Sequence, residues 1–184
     1  MCGFFEDDIN YYIEMMSHGA SGRDLFDYIE HGGSKTESNF KSIFVQVARA
    51  VLYLHTEMLI VHRDIKDENV IIYSDGLVKL IDFGSAAFIN DGPFDVFLGT
   101  ITYAAPEIIT GKFYNGKEQD VWALGILLYT LLYGVNPFQS AKEIGSRSLA
   151  IPHVLSNTSL GLIQNMLTRN VKSRFTIEEV LDHT

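Results

Sequence analysis

A single cysteine, Cys2, means that no disulfide can form within the chain, and a reducing compartment is expected. Basic residues are few. The 14 Lys and Arg against 23 Asp and Glu leave a net charge of −9, which argues against a nucleic-acid partner, since that would need a basic face. Long hydrophobic runs are missing too. The most apolar stretch, Val121 to Gly134, is shorter than the roughly 20 residues a membrane-spanning helix needs, so it reads as a buried core helix and no membrane partner is expected. The N-terminus lacks the basic-then-apolar pattern of a signal peptide. The six histidines are scattered without metal-ligand spacing, which disfavours a zinc site. No internal repeat or low-complexity tract is present. The expected location is the cytoplasm, with the nucleus as a second compartment. What is present is ample apolar material: 47% hydrophobic and 12% aromatic residues suit one domain with a real core, or a large part of one.

The most informative stretch is residues 61–84, VHRDIKDENVIIYSDGLVKLIDFG. It sets Arg63, Asp64, Lys66, Asp67, Glu68, Asn69 and Asp82 beside a run of β-branched residues. Asp75-Gly76 between two apolar runs is a strong hairpin signal. A two-residue turn there predicts that Ser74 faces Leu77, Val70 faces Ile81 and Asn69 faces Asp82. Opposed residues have Cβ atoms about 4.5–5.5 Å apart on one face. An amide oxygen and a carboxylate then converge at the open end of the hairpin, with Asp64 and Lys66 just upstream. A hard cation that keeps room for water and phosphate needs such an arrangement. The alternative is a solvated hairpin end that happens to be charged.

Elsewhere Ile9 to Glu14 reads as a short strand. Ser21 to Asp24 reads as a capping box opening a short helix through about Ile29. Thr36 is expected to cap a longer helix with Phe40, Ile43, Phe44, Val47, Val51 and Leu54 on its apolar face. A loop should run from Asp82 to about Tyr103, and the chain is helical after Pro106. That part comprises the buried run at 120–134, a loop around Asn136-Pro137-Phe138, an amphipathic helix near Leu160 to Leu167 and a last helix from Thr176. The pattern is little sheet and much helix, an α+β class.

HRDIKDEN at 62–69, DFG at 82–84 and APE at 105–107, in this order and spacing, resemble the catalytic loop, magnesium loop and activation-segment end of eukaryotic serine/threonine protein kinases. The stretches HRDIKDENVII, IDFGSAAF, GPFDVFLGTITYAAPE and FFEDD look most like the PAS-domain-regulated members. The resemblance implies a protein kinase-like fold over 1–184. It would be mainly the helical C-terminal lobe (about 21–184) with a small catalytic-loop hairpin, a hinge strand at about 9–16 and an activation segment at 82–107. It further implies ATP and Mg2+ as cofactors and protein substrates as partners, with a regulatory sensor domain outside this chain.

Carried over to matching positions, the resemblance gives Asp64 the orientation and deprotonation of the substrate hydroxyl. Lys66 would hold the transferring phosphoryl group, and Asn69 and Asp82 would bind magnesium. It puts Glu14 to Met16 at the adenine, Asp24 at the ribose and Ile71 under the ring, with Glu68 beside the phosphate and peptide side. His62 and Phe83 are read as stacked core groups, Trp122 as core, and Glu107 with Arg174 as a buried ion pair. Glu68 and Asp24 suggest a weak preference for basic residues before the acceptor. Thr130 stands where arginine-directed relatives often place a second acid.

The sequence also departs from the family pattern. It has no G-x-G-x-x-G loop and no V-A-I-K-type lysine, and it stops at LDHT, where the family usually continues into a further helix. The expectation is therefore a large lobe without most of its N-terminal β lobe, a weakly active or inactive fragment of an active parent. The alternative is a non-catalytic scaffold. Retention of Asp64, Lys66, Asn69 and Asp82 favours the active parent. Between Gly84 and Gly99 the only hydroxyl residue is Ser85, so Asp91 or Asp95 could give Arg63 a permanent carboxylate in place of an activation-loop phosphate; the alternative is that these acids are solvated loop residues.

Overall fold

The computed structural model describes residues 3–14, 17, 22–31, 36–153 and 156–184. Its axis is helix α4, Gly116–Tyr133, which is buried on every side from Val121 to Leu131. An all-round apolar sequence requires that placement, because no face of the helix is suited to water. Gly134 ends it in the left-handed region at φ 72°, where a side chain would be strained. Helix α2, Glu37–Tyr53, packs along α4. Thr36 caps it as expected, accepting from the Asn39 N–H at 3.3 Å, and its buried face carries Phe40, Ile43, Phe44, Val47 and Val51. Helix α6, Asn157–Met166, covers another side of α4, and α7, Ile177–His183, lies against α2 and α6. Thr176 and Glu179 form a reciprocal capping box at the start of α7. Trp122 is fully buried and stacks on Phe138 at a centroid distance of 6.0 Å. The fold is α+β and mostly helical, as expected for the kinase large lobe.

The strands are short. β1, Gly3–Glu6, and β2, Tyr11–Glu14, form an antiparallel ribbon that pairs only with itself. The expected strand from Ile9 begins two residues later because Asp7 turns the chain. Its carboxylate accepts from the N–H groups of Ile9 (2.8 Å) and Asn10 (2.7 Å) and from the Tyr12 hydroxyl (2.8 Å). β1 itself was not expected. β3, Gly22–Asp24, joins β5, Val70–Tyr73, and β6, Val78–Leu80, in a sheet of order β3-β5-β6. β4, Ile60–Val61, pairs with β7, Ala87–Phe88. Helix α1, Leu25–Glu30, is capped by Asp24 itself, which accepts from the Asp27 N–H at 2.7 Å. That corrects the expected capping box, whose Ser21 lies outside the described residues. Two short helices complete the fold, α3 at Pro106–Ile109 and α5 at Ala141–Ser146.

The expected Glu107–Arg174 pair ties α3 to the segment before α7. It is bidentate, Nη1 to Oε1 at 2.8 Å and Nη2 to Oε2 at 2.9 Å, and the guanidinium lies over Trp122 at 5.1 Å. The two side chains are only 0% and 10% exposed, whereas those of the Arg147–Glu143 pair are 52% and 31% exposed. Breaking a buried pair leaves one charge uncompensated, at about 3–5 kcal/mol; exposed pairs contribute little. Arg174→Leu should therefore lower the unfolding free energy by about 3–5 kcal/mol in urea titrations. Arg147→Ala should leave the midpoint within error. Equal losses in the two variants would show that burial does not set the ranking.

Candidate active site

The hairpin that carries the site differs from its expected register by one residue. Only Gly76 in its loop has a positive φ, 84°, and a two-residue type I′ turn needs two such residues. The connection is instead the three residues Ser74, Asp75 and Gly76. It is closed by Tyr73 N–H to the Leu77 carbonyl at 2.9 Å and Gly76 N–H to the Tyr73 carbonyl at 2.9 Å. Val70 consequently faces Leu80, Ile71 faces Lys79 and Ile72 faces Val78. Asn69 is level with Ile81, whose N–H reaches its carbonyl at 2.9 Å, and not with Asp82. Asp82 comes next and turns off the strand at φ 60°, an uncommon conformation for which Asp is among the more tolerant residues. Its Oδ1 accepts from the Gly84 N–H at 3.1 Å, and the side chain is exposed. Phe83 touches His62 edge-on, with centroids 4.9 Å apart, but is 47% exposed, so it is not the core group expected.

The loop between β4 and β5 gathers the remaining charges. Asp64 Oδ1 accepts from the Thr100 N–H at 2.8 Å, and Oδ2 accepts from Asn69 Nδ2 at 3.2 Å. Asn69 Nδ2 also donates to the Asp64 carbonyl at 2.8 Å. Both partners are acceptors, so the amide nitrogen must face them and Oδ1 is turned away as the free oxygen. Lys66 Nζ lies 2.7 Å from Glu68 Oε2 and 3.8 Å from Asp64 Oδ2. Burial opposes its charge, but the carboxylates of Glu68, Asp64 and Asp82 prevail and hold its pKa above the ordinary lysine value. Asp64, Lys66, Glu68, Asn69 and Asp82 are thus brought together, with Lys66 as the charge they share.

Two buried groups orient this loop. Asp120, in α4, is 0% exposed and accepts three hydrogen bonds: from the His62 N–H (2.8 Å), the Arg63 N–H (2.8 Å) and His55 Nε2 (2.9 Å). Arg63 sits at φ 66°, so this contact holds a strained residue in place. His62 Nε2 meets the Ile81 carbonyl at 3.1 Å while its Nδ1 accepts from the Asp64 N–H at 3.3 Å, which requires the Nε2–H tautomer. The imidazole is a strut between the loop and the residue before Asp82. The Arg63 guanidinium does not pair with Asp91 or Asp95. Its Nε donates to the Ser85 carbonyl at 2.7 Å, Nη1 reaches the Tyr114 hydroxyl at 3.4 Å, and the group lies 4.4 Å from the centre of the Phe94 ring. An aromatic face can hold a guanidinium as a carboxylate would, without a second desolvated charge.

The adenine and ribose candidates sit on other elements. Glu14 ends β2 opposite Gly3, in the separate ribbon, and is exposed. Met16 lies outside the described residues. Asp24 and Ile71 are cross-strand partners in β3 and β5, but Asp24 Oδ1 caps α1 and Ile71 is only 6% exposed. Ile71 is thus buried, while Ile9, Tyr11 and Ile13 of the hinge segment are exposed. Sequence reasoning missed Asp120 as an anchor. The available signal was an acid heading an otherwise apolar run.

A profile described as protein kinase domain matches residues 1–184. The serine/threonine-protein kinase ppk6 of Schizosaccharomyces pombe is 52% identical over 100% of this chain and 23% of its own length. PSK2 of Saccharomyces cerevisiae, also named a serine/threonine-protein kinase, is 52% identical over 97% of this chain and 16% of its own length. The PAS domain-containing serine/threonine-protein kinase of Mus musculus is 41% identical over 96% of this chain and 13% of its own length. The chain therefore spans less than a quarter of the length of these relatives.

Removing the Asp120 carboxylate would strand buried donors at about 1–3 kcal/mol each. Asp120→Ala should destabilise the chain by about 3 kcal/mol or more and speed hydrogen exchange at the His62 and Arg63 amides; Asp120→Asn should be intermediate. Unchanged exchange at those two amides would remove Asp120 as the anchor.

Proposed function

The chain belongs to the protein kinase domain family, and we propose that it carries the phosphotransfer site of a serine/threonine protein kinase that uses ATP and magnesium. The observation behind this reading is the gathering of the Asp64, Glu68 and Asp82 carboxylates around the Lys66 ammonium, with Asn69 joined to Asp64. Phosphoryl transfer needs mainly positioning and charge stabilisation, which these groups can supply. Asp64 orients the acceptor hydroxyl and takes its proton as the oxygen–phosphorus bond forms and the bond to the departing ADP oxygen breaks. Lys66 offsets negative charge on the moving phosphoryl group. The Asn69 Oδ1 and the exposed Asp82 carboxylate would hold magnesium, which would supply positive charge against the nucleotide phosphates. An amide oxygen and a carboxylate suit an ion whose remaining positions are completed by phosphate and water. Adenine contacts at Glu14 and Met16, a ribose contact at Asp24, a floor at Ile71 and support at Glu68 belong to the same reading. Protein hydroxyls are the acceptors, and the mouse relative's name suggests a PAS sensor elsewhere in the whole protein.

The division of roles can be tested in the full-length protein, because this chain contains no glycine-rich phosphate loop and should act weakly or not at all by itself. Asp64→Asn should cut the transfer rate by orders of magnitude with nucleotide affinity nearly unchanged, while Asp82→Asn should weaken magnesium-dependent nucleotide binding. ATP titrations on both variants distinguish these outcomes; equal loss of binding contradicts the assignment.

Activity without activation-loop phosphorylation belongs to the same reading. Arg63 already has Ser85, Phe94 and Tyr114, and Ser85 Oγ donates to the Leu98 carbonyl at 3.3 Å. Phosphatase-treated protein, shown by mass spectrometry to be unmodified over 85–102, should retain full activity. A loss that returns on rephosphorylation within this segment would overturn the idea.

A further inference from the structure

Asp67 has no task in the scheme above, yet it is an acid only 8% exposed in the middle of the catalytic loop. No cation pairs with it among the described residues. Its Oδ1 accepts from the Tyr103 hydroxyl at 3.0 Å and from the Glu68 N–H at 3.1 Å. Burial pushes the carboxyl above the usual carboxylate range, against the pull of the Tyr103 hydroxyl, and burial with the neighbouring Asp67 pushes the Tyr103 hydroxyl upward as well. An acid buried without a cation is held by the hydrogen bonds it accepts.

Asp64 holds the Thr100 N–H and Asp67 holds the Tyr103 hydroxyl, and both contacts span 36 residues of sequence. Two acids three residues apart on the catalytic loop thus grip two points three residues apart on the activation segment. Between those points the chain makes a 3-10 turn, Ile101–Tyr103. The backbone beyond is fixed from the other side by Gln119, whose Nε2 donates to the Tyr103 carbonyl at 3.1 Å and whose Oε1 accepts from the Ala105 N–H at 2.8 Å. Leu98 and Ile101, 60% and 51% exposed, lie on either side of Thr100 in the chain.

We propose that Asp67 is a positioning residue, and that its bond to Tyr103 fixes the acceptor-binding segment 98–103 in register with Asp64. This rests on the phosphotransfer reading above. Asp67 touches neither nucleotide nor acceptor. It acts through Tyr103, so its loss should appear in the use of the protein acceptor and not in the use of ATP.

The test uses the full-length protein, ATP and a synthetic serine peptide with arginines ahead of the acceptor. Asp67→Ala and Tyr103→Phe should each lower kcat/KM for the peptide about tenfold, the usual scale for a hydrogen bond to a charged group, with KM for ATP unchanged. Asp67→Asn keeps an acceptor oxygen and should retain most activity. The double variant should be no worse than Asp67→Ala alone, because that change already removes the Asp67–Tyr103 contact. Hydrogen exchange over 98–104 should be faster in Tyr103→Phe. That change is close to isosteric and keeps the test decisive even if Asp67→Ala fails to fold. Unchanged exchange, unchanged peptide kinetics, or additive losses in the double variant would each overturn the proposal. A wild-type protein that transfers no phosphate would instead refute the phosphotransfer reading, and exchange alone would then decide the clamp.

Discussion

The candidate site depends on one carboxylate that takes no part in its chemistry. Asp120 is fully buried in the most buried helix of the protein, where an unpaired charge would cost several kcal/mol. Three donors converge on it, and two are successive backbone N–H groups, those of His62 and Arg63. Holding adjacent amides fixes the direction in which the chain leaves them. That direction is the unfavourable left-handed one at Arg63, φ 66°, which costs about 1–2 kcal/mol for a non-glycine residue. The core helix thus determines where Asp64 begins. From there Asp64 is held between Thr100 and Asn69.

The same construction recurs at each functional residue: the core holds backbone, and the backbone presents a side chain. His62 props the Ile81 carbonyl, and the next residue, Asp82, leaves the strand at φ 60°. Gln119, one residue before Asp120, holds the far side of the activation segment through Tyr103 and Ala105. The Glu107–Arg174 pair then closes α3 onto Trp122. The segment 62–69, Asp82 and the segment 100–105 are all referred to α4. A displacement of that helix would move them together, which suits chemistry that relies on positioning.

Much of this was legible in the sequence, for identifiable reasons. Thr36 and its apolar face, the buried run before Gly134, the Thr176 cap and the Glu107–Arg174 pair rest on helical periodicity, capping chemistry and motif position. These are local signals, or signals protected by burial. The failures have a common cause. The hairpin register depended on whether one or two turn residues take a positive φ, and an Asp-Gly pair allows either a two- or a three-residue loop. Ile9 belonged to a turn because Asp7 could reach its N–H, a competition that alternation of apolar residues does not reveal. Arg63 met Phe94 where an acid was expected, since sequence proximity of Asp91 and Asp95 says nothing about which residue faces inward.

The register error shows why the site survives an incorrect derivation. Asn69 and Asp82 were expected to meet as cross-strand partners; they are instead one residue out of step. In a regular strand that slip would place the two side chains on opposite faces. The left-handed residue at Asp82 breaks the alternation, and its carboxylate remains within electrostatic reach of Lys66. Two local departures, a three-residue loop with Gly76 at positive φ and a left-handed Asp82, thus separate the observed path from regular pairing. Both are conformations that regular strand pairing never adopts, so a reading built on regular pairing mistakes the path between Asn69 and Asp82.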